Sequence, residues 1–134
     1  MIEQYATTSN LNLTPYNMAT STIKADTWVD VSSHATVVNA WSNVTKRFMR
    51  KGNVVMFAVG GYRPTYTAGF MYNIVELDST IKPKYTADFL GHRGDSSYNI
   101  EGYNEVHINT EGLIQVQASS TAGSWWYISG WYCV

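Results

Sequence analysis

Apolar and polar residues alternate along this chain in short runs. No window of a dozen residues shows the i, i+3, i+4, i+7 apolar spacing of an amphipathic helix. The alternation predicts a series of strands. Residues 27–31 form a short one. Residues 43–50 and 54–59 form a hairpin around Lys51-Gly52-Asn53, where Gly52-Asn53 tolerates the positive φ of a tight turn. Residues 69–77 and 84–90 are further strand candidates, and 105–109 and 113–118 pair around Thr110-Glu111-Gly112. Gly60-Gly61-Tyr62-Arg63-Pro64 is punctuated like a loop, and residues 91–104, with three glycines and many polar side chains, read as a long one. Short strands separated by glycine turns predict an all-β sandwich or barrel, jelly-roll-like, with no helix beyond roughly two turns. Residues 1–26 are polar and carry Pro15. They read as an N-terminal arm or short edge segment ahead of a β-sandwich head over 27–134.

The final run departs from simple alternation. As a strand, it sends Trp126, Ile128, Tyr132 and Val134 to one face and Trp125, Tyr127, Trp131 and Cys133 to the other. Neither face is polar, so cover is expected on both sides. The chain's own core supplies one cover, and a second copy or a ligand supplies the other. Trp125, Trp126, Tyr127, Trp131 and Tyr132 are therefore the expected oligomer interface.

Composition narrows the function. A length of 134 residues suits one domain with a real core. The net charge is −1 with nine lysines and arginines, which leaves no basic field for nucleic acid or an anionic membrane. Charged residues make up 14%, against about 25% in ordinary soluble domains. Tyr, Ser, Thr and Asn take their place, and such a surface suits a neutral, hydroxyl-rich partner or burial in an oligomer. No apolar run reaches the roughly 20 residues of a membrane span. The lone Cys133 reads as a small buried hydrophobe rather than a reactive thiol. His34, His92 and His107 are far apart in sequence without acidic residues at ligand spacing, so no metal and no cofactor is expected. There is no Gly-x-Ser-x-Gly, and the carboxylate pairs Asp88/Asp95 and Glu101/Glu105 mark no cleft by themselves. The expectation is a protein that is not an enzyme.

Four pieces in order carry a family likeness. They are the hairpin Arg50-Lys51-Gly52-Asn53-Val54-Val55, then Gly61-Tyr62-Arg63-Pro64, then Ile108-Asn109-Thr110-Glu111-Gly112-Leu113-Ile114-Gln115-Val116, then the closing strand from Trp125 to Val134. Over roughly residues 40–134 the chain resembles the C-terminal head domains of receptor-binding proteins from tailed phages of Gram-positive bacteria, of the lactococcal and streptococcal type. It is also similar to related baseplate and tail-fibre tip domains. The resemblance implies a compact homotrimeric β-head at a phage tail tip or baseplate. Such a head contacts other baseplate or tail proteins and binds host cell-wall saccharide without catalysis. The chain departs from the commoner pattern between Tyr62 and Asn104, a long segment rich in Tyr.

That departing segment contains the expected saccharide site. His92, Arg93 and Asp95 lie together, with Tyr98 and Tyr103 beyond and Tyr62 and Arg63 upstream. Sugar recognition uses an aromatic plane for the apolar face of a ring and forked Arg and Asp groups for vicinal hydroxyls. Trp28 or Trp41 could add an exposed ring; Trp28 is included in the expected site. The basic cluster Lys46, Arg47, Arg50 and Lys51 splits over two strand faces and reads as a solubilising guard rather than a binding patch, with contact to a phosphate-bearing wall polymer as the lesser alternative. The chain thus reads as a virion-borne, non-catalytic receptor-binding head. A structural baseplate domain without glycan binding is the alternative, and a small enzymatic β-domain is the third reading.

Overall fold

A computed structural model describes residues 27–38, 41–65, 67–118 and 122–134; the expected N-terminal arm, residues 1–26, lies outside the described residues. Among the described residues nine strands follow in chain order: β1 (Val29–Asp30), β2 (Ala35–Val37), β3 (Ser42–Lys51), β4 (Val54–Thr65), β5 (Met71–Leu77), β6 (Ala87–Gly94), β7 (Ile100–Ile108), β8 (Leu113–Gln117) and β9 (Ala122–Cys133). A 3-10 turn, Ser32–His34, separates β1 from β2, and no α-helix occurs among the described residues. All nine strands form one antiparallel sheet in the order β1-β3-β4-β9-β6-β7-β8-β5-β2. The all-β expectation holds, with a single sheet curled into a half-barrel.

The curl follows from the two ends of that order. β1 and β2 are neighbours in the chain but stand at opposite edges of the sheet. The short link between them therefore draws the edges together. On the β3 side, the Val31 N–H donates to the Phe48 carbonyl at 2.9 Å, and the Phe48 N–H donates to Ser32 Oγ at 2.9 Å. The Lys46 ammonium donates to the Ser32 carbonyl at 2.7 Å and also to the Ala35 carbonyl. On the β5 side, the Asp78 N–H donates to the His34 carbonyl at 3.0 Å, and His34 Nδ1 meets Asp78 Oδ2 at 2.7 Å. The His34 hydrogen bond, then the Thr80 N–H, holds the Asp78 carboxyl below its ordinary value of 3.8. A depressed carboxyl stabilises the fold above that ordinary value and loses its contribution as pH falls through the folded value.

Inside the curl, β9 supplies Trp126, Ile128 and Tyr132, all buried. They pack with Phe48, Phe57, Val106, Ile108, Ile114 and Val116 in one continuous core. Burying each large aromatic contributes roughly 4–6 kcal/mol at about 25 cal/mol per Å². The Tyr132 hydroxyl donates to the Ile81 carbonyl at 2.7 Å, and burial pushes its phenol pKa up. A bulge in β5 between Asn73 and Val75 lets Ile74 and Val75 both turn inward. Phe89 lies over Gly130: a Cβ there would fall 2.5 Å from the Phe89 ring, which meets Phe57 edge-on at a centroid distance of 5.3 Å.

The expected hairpin is present, with Gly52 at φ +57°. Two expected loops are strand instead. Residues 60–64 continue β4, and residues 91–104 belong largely to β6 and β7 around a turn at 95–99. Their glycines serve close packing rather than turning. A Cβ on Gly61 would meet Val44 at 2.9 Å, and one on Gly91 would meet Val106 at 2.8 Å. His107 points to the wet face between buried Val106 and Ile108, as its alternation predicts.

Gly130→Ala is expected to lower stability by roughly 1–3 kcal/mol, because the added methyl overpacks against Phe89 and the backbone cannot retreat. Urea unfolding measures the loss, and adding Phe89→Leu should recover part of it. A G130A protein as stable as the parent would show that the Phe89 contact carries no packing constraint.

Candidate functional site

The inner face of β9 is core, so strand alternation sends Trp125, Tyr127, Ser129 and Trp131 outward. Register places them among their neighbours. Trp125 faces Tyr62 of β4, Tyr127 faces Gly60, Ser129 faces Ala58, and Trp131 faces Met56. On the other side Tyr127 faces His92 of β6, and His92 faces Tyr103 of β7. An aromatic row thus crosses four strands on the outer surface. Trp125 lies 5.6 Å from Tyr62 and stacks on Tyr127 at 6.4 Å; Tyr127 stacks on His92 at 4.9 Å and meets Tyr98 at 4.7 Å.

Beside this row is a depression of about 350 Å³. Ala58, Gly60 and Ser129 are its short-side-chain floor, and Thr45, Arg47, Leu90, His92, Tyr98 and Tyr127 stand around it. Gly60 matters here, since a Cβ would reach 3.1 Å from the Tyr127 ring and 3.3 Å from Thr45 Oγ1. Burial, then the proximity of Tyr98 and Asp95, raises the Tyr127 phenol, so it stays a neutral donor at physiological pH. The arrangement offers ring faces, hydroxyls and one guanidinium around a shallow concavity. That chemistry suits a small polyol ring.

The turn between β6 and β7 positions the rings. Asp95 Oδ1 accepts from the Ser97 N–H at 2.8 Å and the Asn99 N–H at 3.1 Å, and Oδ2 accepts from Asn99 Nδ2 at 2.7 Å. Hydrogen bonding from Asn99, then from Ser97, holds the Asp95 carboxyl below its ordinary value. The Asp95 carbonyl accepts from the Tyr127 hydroxyl at 3.0 Å. Within this turn Tyr98 takes φ +64°, a left-handed conformation that costs a non-glycine residue about 1–3 kcal/mol and persists only where its surroundings impose it. Asp95 therefore shapes the turn that presents Tyr98, a role beyond the one expected of it as a fork for sugar hydroxyls.

The other expected residues separate by strand parity. Tyr62, His92, Tyr98 and Tyr103 share the outer surface. Arg63 and Arg93 take the opposite face from Tyr62 and His92. The Arg63 guanidinium lies 4.1 Å from the Tyr72 ring centroid and 5.9 Å from that of Trp41, and Arg93 runs past Gly102, where a Cβ would sit 3.3 Å from its guanidinium. Trp28, 40% exposed, lies by Lys51 at the far end of the β3–β4 hairpin, away from the depression. Trp41 is buried and donates its indole N–H to the Asn73 carbonyl at 2.8 Å. Trp126 and Tyr132, expected at an oligomer interface, are core side chains and cannot present a surface, whereas Cys133, expected to be buried, is exposed because it takes the outer parity of β9. Thr45 and Leu90 were not anticipated, and Arg47 was weighed only within the basic cluster, as a lesser contact to a phosphate-bearing wall polymer. A signal for Arg47 existed: the two-residue turn at Gly52-Asn53 fixes it opposite Ala58, on the face away from Phe48.

No protein-family description and no curated protein matches the chain by sequence. A solved structure does match. The head domain of phage bIL170, described in work on the receptor binding domains of lactococcal phages, aligns with a TM-score of 0.59 over 81% of this chain and 98% of that one, at 12% identity. This chain has the fold of that phage head domain. At such identity the bIL170 likeness is one of backbone architecture, and the aromatic row and depression are argued from this chain's own residues.

Asp95→Ala should release the turn while the core strands stay intact. Amide hydrogen exchange is expected to accelerate at Ser97 and Asn99, with protection unchanged at Phe57 and Val106. Unaltered exchange at Ser97 and Asn99 would show that the carboxylate does not hold the turn.

Proposed function

We propose that this chain is the receptor-binding head of a phage tail tip or baseplate, carried on the virion, and that it recognises a host cell-surface saccharide without catalysis. The observation that carries the saccharide reading is the depression: a floor of Ala58, Gly60 and Ser129 beside the Tyr127, Tyr98 and His92 rings, with Arg47 and Thr45 within reach. A sugar ring would stack its apolar face on an aromatic plane. Its hydroxyls would take donors from the Arg47 guanidinium and the Thr45 hydroxyl. The bIL170 likeness supports the receptor-binding role. A shallow site of this kind binds weakly, about −4 to −8 kcal/mol, or millimolar to micromolar.

Weak sites become effective when repeated. We read the head as a homotrimer, as the sequence resemblance implies. Phe70 and Ile100, 62% and 53% exposed, are apolar side chains outside the depression that neighbouring copies could cover. Three rigidly linked sites would raise avidity by about 10²–10⁴.

Two measurements test this reading. Fluorescently labelled protein should adsorb to cells of a susceptible Gram-positive strain. Arg47→Ala should weaken adsorption by about tenfold or more with little change in melting temperature, whereas Tyr127→Ala should weaken it comparably and also lower the melting temperature, because its ring packing and its bond to the Asp95 carbonyl are lost. Parent protein that binds no strain in a broad panel and no wall polysaccharide would favour the structural baseplate role. Light scattering at micromolar concentration should give three times the 15.0 kDa chain mass; a clean monomer would overturn the trimer.

A further inference from the structure

The seam between β6 and β9 is only partly closed. Their ladder covers His92–Gly94 against Tyr127–Trp125, although β6 begins at Ala87 and β9 continues to Cys133. Beyond His92 and Tyr127 the strands part. The segment leading into β6 is tied to the end of β9, where the Lys84 N–H donates to the Cys133 carbonyl at 2.9 Å. Between these ties lies a second depression, of about 390 Å³, lined by Tyr85, Asp88, Phe89 and Trp131 among others. Tyr85 and Trp131 are 67% and 61% exposed, a large apolar area for two rings beside one concavity. Asp88 is not a loose surface charge, because His107 Nδ1 hydrogen-bonds its Oδ1 and so fixes the carboxylate's orientation. The Lys84 ammonium lies 5.5 Å from the Tyr85 ring centroid. Two ring faces, an oriented acceptor and an ammonium donor are the group types that sugar hydroxyls and ring faces need, and they recur here outside the first depression.

The two depressions are continuous in register. Leu90 and Ser129 border the first, and Asp88 and Trp131, two residues further along the same outer face, border the second. From Tyr127 to Cys133 the seam runs about 20 Å at roughly 3.3 Å per residue. We propose that the two depressions are subsites of one trough along the β6–β9 seam, and that the ligand is an extended glycan segment several sugar units long, with Tyr85, Trp131 and Asp88 forming the second subsite. This rests on the saccharide reading above and specifies its ligand as a polymer segment rather than a single terminal sugar. A peptide is the poorer occupant. It would have to ladder onto the facing strand edges, and the Phe89 ring packs against Gly130 between them.

The test uses the full chain and oligosaccharides of one to six units, size-fractionated from partial acid hydrolysis of wall polysaccharide from a strain to which the labelled protein adsorbs. Affinity should rise by about tenfold or more between the shortest and longest fragments. Trp131→Ala and Asp88→Asn should each remove that gain while leaving binding of the shortest fragments and the melting temperature near the parent values. Both side chains point outward, so the fold should survive. Equal affinity for short and long fragments, with Tyr127→Ala abolishing both, would overturn the trough and leave the saccharide function standing. A gain with length that Trp131→Ala and Asp88→Asn leave untouched would overturn the second subsite. Adsorption to no strain, or no binding of any fragment, would overturn both readings together.

Discussion

The structure depends on one strand that is apolar on both faces. β9 lies inside the sheet between β4 and β6, so its backbone is laddered on both sides near Trp125 to Tyr127. Its inner side chains, Trp126, Ile128 and Tyr132, anchor the core, and its outer ones build the candidate site. The same backbone therefore fixes the packing and the proposed recognition surface together. The outer rings need less cover than an isolated strand would suggest. Tyr127 is flanked by Trp125, His92 and Tyr98, and Trp125 by Tyr62, so much of their area is hidden within the subunit. Trp131 alone of the three β9 tryptophans remains widely exposed.

A second constraint keeps this arrangement rigid. An open sheet carries two edges whose unpaired backbone groups invite association. Here one short link serves both, running from β1 through Ser32–His34 into β2. It is bonded to β3 through Lys46 and Phe48 and to the start of the 78–81 turn through His34 and Asp78. Lys46 was expected to be one of several solvated charges. Its ammonium instead spans two carbonyls of the closing link, while Arg50 donates to the Thr80 and Gly52 carbonyls. The basic cluster is thus divided by parity. Lys46 and Arg50 close the curl, and Arg47 reaches the outer depression.

Much of the fold was legible because it rests on period two and on turn chemistry. The β3–β4 hairpin, the β7–β8 pair and the two faces of β9 follow from local patterns. The misread segments have a common cause. Glycines at 60, 61 and 91 carry strong turn statistics, yet here they admit Tyr127, Val44 and Val106 against the backbone. Close approach between strands distant in sequence leaves no local signal. The site was half legible for a related reason. Reading residues 91–104 as a loop grouped His92 with Arg93 and Asp95 as though all could converge. Once β6 is a strand, His92 and Arg93 must face opposite ways, and Asp95 falls in the turn that its carboxylate shapes.

If the proposed recognition surface is a sheet face rather than a long loop, the positions free to change follow from strand parity. Along β3, β4, β6 and β9 the outward positions, among them Thr45, Arg47, Ala58, Leu90 and Ser129, alternate with inward ones such as Phe48, Phe57, Phe89 and Ile128. A substitution at an outward position alters the shape or charge of the depression and leaves the core untouched. An inward substitution disturbs packing and moves every ring on the strand. The shape of the candidate site and the stability of the core are thereby divided between alternate residues of the same segments. The exceptions are positions where the two are coupled. Gly60 keeps the Tyr127 ring seated, and Asp95 imposes the left-handed turn at Tyr98. Those two positions constrain the site most, because they set where its rings lie rather than what its rings touch.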